Sequence, residues 1–440
     1  MSMLFEIIEG ETGVGVLAAE GFTAAATCAG IKQDGILDMV LIHSDRPAAA
    51  AATLTQNVFR AAPTYVTQAA VANGVAQTII VNSGNANCAT GSEGLANAKR
   101  MGELAAELTG VAAADTIVCS TGRIGVPLPM DKVEAGIHTL AGELSREDPV
   151  KIAKGILTTD TVEKISTTKF AVPSGTTEST VPSGTTESTV PSGTTESTVP
   201  SGRAGVPPAT VHLGAICKGA GMICPNMATM LCFITTDLAI DAGLLKTSLQ
   251  EAVKYSFNCI SVDGDMSTND TVAILANGAA GNAPLTSASD AGYEAFRAAL
   301  GHVTKDLAQQ IVRDGEEVSK FLEIVVQGAA DYDLAHALAH QLATYLLFQT
   351  CLYGGDFNWG RVAAALGSSM LPFDIKKMSI EWQGILCWND GEPQPFNQAA
   401  AEARLEDHDQ RIVIDLKSGD AVCTYWTNDI TPEYVTYNAH

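Results

Sequence analysis

Residues 218–237, in the middle of the chain, read KGAGMICPNMATMLCFITTD. A glycine-rich stretch closes on Pro225-Asn226, and Met227-Ala228-Thr229 then runs straight into the apolar segment Met230–Ile234. Such a segment leaves the chain little choice: a flexible turn has to deliver a buried strand, here Met230–Thr236. A threonine at that junction can turn its hydroxyl on the carbonyl just before it. Cleavage of Ala228–Thr229 by that route makes Thr229 a new N-terminus, with its hydroxyl as nucleophile and its freed α-amine as base. An α-amine has a reference pKa near 8 and is partly neutral at pH 7, unlike a lysine amine near 10.4. Taken alone, a threonine at a strand start is an ordinary residue.

The rest of the chain reads as alternating strands and helices. Thr78–Val81 is a short β-branched strand leading into the polar turn Asn82–Asn87. Ser92 caps a helix with the apolar stripe Leu95, Ala98, Met101, Ala105 and Leu108, which Gly110 stops. The strand Thr116–Cys119 runs into Ser120-Thr121-Gly122, and a glycine loop after a strand can point backbone amides into a cleft. Beyond Thr229, a helix from Asp241 turns Leu244, Leu245, Leu249, Ala252 and Val253 inward. A second spans Asp333–Gln349 with Leu334, Leu338, Leu342 and Leu346 in one row. His336 and His340 stand four apart on the opposite face of that helix. Zinc can use this spacing, but neither an HExxH pattern nor a third ligand accompanies it, so it reads as a solvated face. Strands at Leu322–Val326 and Arg411–Leu416 complete an α/β (α+β) chain of helical and sheet layers.

One segment breaks the pattern. Val-Pro-Ser-Gly-Thr-Thr-Glu-Ser-Thr occurs three times in tandem from Val172, Val181 and Val190, and a fourth copy begins at Val199. A nine-residue period can signal a β-helix, but each unit supplies one apolar residue, too little to bury a core. Pro and Gly in every unit favour an extended, mobile loop. Residues 172–202 therefore read as an insertion. They divide an N-terminal α/β part, 1–171, from a glycine-rich stretch, 203–228, and a C-terminal part, 229–440.

Composition excludes several functions. With 440 residues and 46% hydrophobic content, the chain can bury a large core. A net charge of −23 argues against nucleic-acid binding, which needs clustered Lys and Arg, and reads as a solvated acidic exterior. Ten cysteines lack CxxC pairs or metal spacing, as expected of small buried hydrophobes in a reducing compartment. Cys224 and Cys232 flank Thr229, but neither has a local histidine to activate it. No apolar run is long enough for a membrane helix, and the acidic start MSMLFEIIEGE lacks the basic region of a signal peptide. The expectation is a cytoplasmic protein, with mitochondrial matrix or plastid open for a mature eukaryotic form.

The central segment closely resembles the cleavage point of the ornithine acetyltransferase family, the self-cleaving bifunctional glutamate N-acetyltransferases of arginine biosynthesis. Seven further segments are similar to family motifs and stand in the same order: Gly21–Lys32, Asn82–Gly91, Ser120–Gly125, Ser256–Val272, Asp314–Lys320, Asp356–Arg361 and Tyr434–Ala439. The resemblance implies a layered αββα-type sandwich of the ornithine acetyltransferase/aminopeptidase type. It also implies an α-chain ending at Ala228, a β-chain beginning at Thr229, and an α2β2 heterotetramer. The implied reaction moves acetyl from N-acetylornithine to glutamate through an acetyl-threonine, with neither metal nor organic cofactor, and with acetyl-CoA as a further candidate donor. Thr121 and Gly122 would stabilise the oxyanion. Thr158, Lys218, Thr229, Glu316 and Asn438 would bind substrate: Lys218 the carboxylate, Glu316 the cationic end of ornithine. Thr159 leaves a one-residue ambiguity at Thr158.

Several residues depart from the family pattern. Glu317-Val318-Ser319 replace Gly-Ala-Thr, Arg123 replaces a small apolar residue, and Phe357 replaces a proline. The sequence ends two residues after Asn438, without the hydroxyl residue that normally follows. Two other readings stay open: a threonine N-terminal amidase or aminopeptidase, with water as acceptor, and a degenerate non-catalytic paralogue. If the repeats are filler, deleting Val181–Thr198 removes two whole units and leaves cleavage, turnover and melting temperature near wild type. Loop-closure entropy changes by only about 0.6 kcal/mol per doubling of length. Loss of cleavage or assembly on deletion would give the repeats a structural role.

Overall fold

The computed structural model describes residues 4–9, 14–174, 207–224 and 230–439. Nine strands come first: β1 Glu6–Ile7, β2 Phe22–Thr27, β3 Met39–Leu54, β4 Val75–Asn85, β5 Thr116–Arg123, β6 Lys164–Val172, β7 Ala209–Lys218, β8 Leu231–Thr236 and β9 Thr271–Ala276. Among the described residues they form one sheet in the order β1-β6-β7-β8-β9-β3-β4-β5, with β2 also on β3. Most neighbours are antiparallel, but β4–β5 and β8–β9 run parallel.

The sheet is folded back on itself at β3. The first part of β3, Met39 to His43, pairs with β2 and β4, while Ala49 to Leu54 pairs with β9. The β3–β4 ladder shifts register between His43 and Ala48. Because strand side chains alternate between faces, each half offers one face inward. Phe22, Ala24, Val40, Ile42, Ile79 and Ile117 from one half meet Ile216, Leu231, Phe233, Ala273 and Leu275 from the other in a single core.

Six helices flank these strands: α1 Ala62–Ala70, α2 Gly91–Thr109, α3 Met130–Gly142, α4 Pro149–Ile156, α5 Ala242–Lys254 and α6 Tyr293–Arg313. Outside one half, Met39, Leu41, Ile80 and Val118 pack on Met101 and Leu104 of α2 and on Val133, Ile137 and Leu140 of α3. Outside the other, Leu213, Cys232, Ile234 and Ile274 pack on Leu245 and Leu249 of α5 and Phe296, Leu300 and Leu307 of α6. The layers therefore run helix, sheet, sheet, helix, the αββα arrangement expected.

A second sheet follows: β10 Phe321–Ala329, β11 Ser379–Trp382, β12 Ile385–Asn389, β13 Glu392–Pro393, β14 Asp409–Asp415 and β15 Ala421–Asn428, in the order β13-β12-β11-β14-β10-β15. Its helices are α7 Tyr332–Ala343, α8 Leu346–Gly354, α9 Trp359–Ser368, α10 Gln398–Ala403 and α11 Pro432–Asn438. Leu322, Ile324 and Trp426 of this sheet and Leu338 and Leu342 of α7 join the same core as α6. No helix among the described residues is long and apolar enough to cross a membrane.

Several sequence expectations need correction. The helix expected over Asp333–Gln349 is two helices: Tyr345 is extended between α7 and α8, and Leu346 is exposed. The four-residue leucine row thus holds only as far as Leu342. His336 and His340 do not face solvent. They are half-buried, stacked 6.4 Å apart, and packed on Tyr425. The cap of helix α2 is Thr90, two residues ahead of the expected Ser92, and the helix begins at Gly91. Nine of the ten cysteines are buried as expected, but Cys28 is exposed.

Strands β4 and β5 run further than their apolar cores, through Asn85 and Arg123, so the expected polar turn and glycine loop begin as paired strand. The repeats from 175 onward fall outside the described residues; they connect two antiparallel neighbours, β6 and β7, which pair at Val172 and Ala209. The inner core allows a direct test. Phe233 is fully buried between the two halves, so Phe233→Ala is expected to cost about 3–5 kcal/mol in guanidinium unfolding.

Candidate active site

The ends of β4, β5 and β7 open into one cleft of about 930 Å³. Thr121 and Gly122 of β5 line it, with Gly84 and Asn85 of β4 beside them. Thr158 and Thr159 come from the loop after α4, Lys218 from the end of β7, Glu316 from the turn after α6, and Asn438 from the end of α11. Six candidate residues from five separate segments therefore face one space. Thr158 and Thr159 both line it, so the ambiguity between them stands. Ala228 and Thr229 lie outside the described residues, as does His440.

Glycine at 122 is a geometric requirement. Its φ is +132°, and a Cβ there would stand 2.2 Å from the Gly84 carbonyl carbon and 2.5 Å from Asn85 N. Both are backbone atoms that cannot rotate away, so the two strand ends touch only because Gly122 has no side chain. Asparagines fix this pair from behind. Asn82 Oδ1 accepts from Ser120 Oγ at 2.6 Å, and Asn82 Nδ2 donates to Asn85 O at 2.8 Å. Asn269, just before β9, donates to Ala86 O at 2.6 Å and Ser120 O at 2.9 Å. Next to it, Asp270 Oδ1 accepts from Met230 N at 3.1 Å, anchoring the first described residue after the candidate cleavage point.

The opposite wall is built on buried charge. Asp160 accepts from Lys164 Nζ at 2.7 Å, from Gly219 N at 2.6 Å and from Thr158 N at 3.0 Å. Lys218 Nζ lies 4.0 Å from Oδ2, the oxygen that accepts from Thr158 N. Lys164, also fully buried, reaches Asp314 on its far side, and Asp314 in turn holds the backbone and hydroxyl of Thr161. Burial alone would raise the Asp160 carboxyl, but Lys218 and Lys164 outweigh it and hold it at about 2. Burial pulls Lys218 below the ordinary lysine range, with Asp160 opposing and Lys164 adding. For Lys164, burial is outweighed by its two aspartates, and its ammonium is strengthened.

Glu316 is placed by close approach to a second glycine. A Cβ on Gly221 would fall 2.4 Å from the Glu316 carboxylate, and Asn438 Nδ2 donates to Glu316 Oε2 at 3.0 Å. A carboxylate, a buried ammonium and a glycine with backbone donors thus face one cavity. That set can hold an amino acid by its carboxylate and its amine while polarising a carbonyl between them.

Comparison with known proteins identifies the family. The ArgJ family pattern matches residues 23–185 and 191–440, interrupted only within the tandem repeats. The arginine biosynthesis bifunctional protein ArgJ of Symbiobacterium thermophilum is 42% identical over 427 residues, covering 96% of this chain and 97% of that protein. The chain belongs to the ArgJ family. A mitochondrial ArgJ of Heterostelium pallidum is 37% identical over 440 residues, 96% of this chain and 93% of that protein. A solved ornithine acetyltransferase of Mycobacterium tuberculosis, complexed with ornithine, is 37% identical with a TM-score of 0.35. It covers 37% of this chain and 88% of that one.

The residues at which this ArgJ-family chain departs from the expected pattern are accommodated. Glu317, which stands where glycine was expected, takes a positive φ of 54°, the backbone region that favours glycine. Ser319 keeps a hydroxyl that donates to Asp429. Phe357 is buried and stacks on Trp382 at 4.8 Å. Cys224 does find a histidine, brought by the fold rather than the sequence: His340 Nε2 lies 3.3 Å from its sulfur. Burial raises that thiol, which leaves it a poor nucleophile at neutral pH.

Sequence reasoning missed Asp160, Lys164, Asn82 and Asn269, which hold the candidate residues rather than stand among them. Asp160 stands in Thr-Thr-Asp beside a named candidate, and that adjacency was the available signal. Its charge gives a test. Asp160→Asn leaves two buried lysines short of a partner and is expected to cost about 3–5 kcal/mol at pH 7. The folded carboxyl titrates at about 2 against 3.8 unfolded, so its stabilisation is complete above about pH 4 and is lost as pH falls toward 2. Urea unfolding of the two proteins should show a gap that narrows across that interval and is flat above it.

Proposed function

We propose that this chain is an acetyltransferase of arginine biosynthesis that matures by cleavage between Ala228 and Thr229. The observation that carries this reading is the convergence of Thr121, Gly122, Thr158, Lys218, Glu316 and Asn438 on one cleft in a chain of the ArgJ family. Its relatives bear names that assign them to arginine biosynthesis.

In the proposed cycle, the Thr229 hydroxyl attacks the acetamide carbon of N-acetylornithine and its α-amine takes the hydroxyl proton. The tetrahedral oxyanion meets donors at Thr121 and Gly122. The C–N bond then breaks, the α-amine returns the proton to the leaving amine, and ornithine departs from an acetyl-threonine ester. Glutamate enters, its amine attacks the ester carbonyl, and N-acetylglutamate leaves as the threonine hydroxyl is restored. Lys218 pairs with the substrate α-carboxylate, and Glu316 with the ammonium of ornithine. Acetyl-CoA is a second proposed donor, since it delivers the same acetyl group to the same hydroxyl.

Maturation on this reading leaves β1–β7 on the α-chain and β8 and β9 on the β-chain. The pieces stay together, because β8 pairs with β7 from Leu213–Thr236 to Lys218–Leu231, and β9 pairs with β3. An α2β2 assembly and residence in the cytoplasm, or in mitochondria for a eukaryotic host, complete the proposal; several relatives are mitochondrial by name.

Denaturing mass spectrometry tests the whole scheme. The expected result is two chains divided at Thr229, with an acetyl adduct on the β-chain after exposure to N-acetylornithine. Thr229→Ala should remain one inactive chain of 45.8 kDa. A wild-type preparation that stays uncut on long incubation sinks the reading, and release of free acetate regardless of glutamate points to a hydrolase instead.

A further inference from the structure

The cleft is cationic in a protein that is not. Lys32, Arg123 and Lys218 line it against the single carboxylate of Glu316 among its described lining residues, in a chain of net charge −23. Lys218 has Asp160 at 4.0 Å. Lys32 donates its ammonium to Leu37 O at 3.1 Å and to Leu157 O. Arg123 differs from both. It is exposed at the end of β5, and its guanidinium makes no ion pair or hydrogen bond among the described residues.

The backbone of Arg123 is nevertheless fixed. Its carbonyl accepts from Ala86 N at 2.9 Å, and it pairs with Asn85 across the β4–β5 ladder, one residue beyond Gly122. Lys32 packs against the same pair of strand ends. A Cβ on Gly84 would stand 2.8 Å from Lys32 Cγ, and Gly84 faces Gly122 in register. Two cationic side chains thus flank the glycine pair at which the acyl group would react.

Substrate chemistry says what such cations are for. The proposed donor and acceptor share an α-carboxylate and an acyl-bearing or attacking α-nitrogen, so they sit alike at the reacting end. Their side chains carry opposite charge: an ammonium on ornithine, a carboxylate on glutamate. Glu316 suits the first and repels the second, so a separate cation near the acceptor's side chain favours turnover of both in one cleft. Lys218 is already assigned to the shared carboxylate.

We propose that Arg123 is a specificity-determining residue that binds the side-chain carboxylate of a dicarboxylic acceptor, with Lys32 as a second cation of the same cleft. The proposal rests on the acetyl-transfer reading above and adds to it a role for a residue at which this chain departs from the family pattern. Arginine suits the task, since its planar fork meets a carboxylate with two parallel donors.

The two half-reactions separate the outcomes. Arg123→Leu keeps the stem volume and removes the charge, and Arg123→Lys restores charge without the fork. Acetyl-enzyme formation from N-acetylornithine is followed by intact mass, and its discharge is followed with glutamate and with glutamine as acceptors. The expected result for Arg123→Leu is a KM for glutamate raised about tenfold, the size of one partly exposed charge-assisted contact. The donor half-reaction and the weaker glutamine reaction should change by less than about twofold. Arg123→Lys should recover part of the loss, which also shows that the position tolerates substitution without misfolding.

Equal losses in both half-reactions would mean that Arg123 only shapes the oxyanion loop, and would overturn the proposal. An equal loss with glutamine would place Arg123 on the α-carboxylate, and a raised KM for acetyl-CoA alone would place it on phosphate; either also overturns it. A wild-type enzyme that forms no acetyl-enzyme from any donor is a different failure, that of the transferase reading itself.

Discussion

Asp160 sits where the loop after α4, the base of β6 and the end of β7 meet, and its negative charge is tolerable there only because Lys164 and Lys218 come with it. Taking such charges out of water costs several kcal/mol each, recovered only in good geometry with the remaining bonding positions filled. Here they are filled by backbone amides of Thr158 and Gly219. Lys164 extends the cluster to Asp314, two residues before Glu316. One ionic cluster thus fixes the separation between Thr158, Lys218 and Glu316, which come from distant parts of the chain. A buried cluster of this kind contributes little net stability, but it permits few alternative arrangements.

The folded sheet does for the other wall what the ion cluster does for this one. Bending β3 brings β4 and β5 face to face with β7, β8 and β9 across an apolar core. The cleft then opens at one end of that sandwich, where the Gly84–Gly122 contact and the Asn82, Ser120 and Asn269 bonds hold the strand ends in register. Two rigid walls, one apolar-backed and one ionic, leave little for the lining side chains themselves to organise. This is the usual condition for a site that must hold reacting groups to within a fraction of an ångström.

Much of this was legible in the order of residues. The strands and helices with clear periodicity are present, as with α5 and its Asp241 cap, whose side chain accepts from Gly243 N and Leu244 N. The motif residues that line the cleft were each identifiable by the segment that holds them. The misses have a common cause. Apolar periodicity carried the leucine row of α7 past its end at Ala343, because period alone does not reveal an extended residue at Tyr345. It stopped β4 and β5 too early, because Ser, Thr, Gly and Asn carry no apolar signal even when paired in a sheet. His336 and His340 look solvated in the sequence because the partner that covers them, Tyr425, lies on a strand some ninety residues further on.

By itself the sequence determined the local alphabet: which segments are strand or helix, where glycine leaves room for backbone to meet backbone, and which family the chain belongs to. These follow from properties of single residues and their neighbours, namely propensity, period and the presence or absence of a Cβ. Tertiary structure alone decided which charges share a cavity. That Lys164 reaches Asp314 and Lys218 lies beside Asp160, that Cys224 meets His340, and that Arg123 stands without a described partner in the cleft all depend on contacts across long stretches of chain. Electrostatic energy depends on distance and burial, and neither exists for a pair of distant residues until the chain has folded.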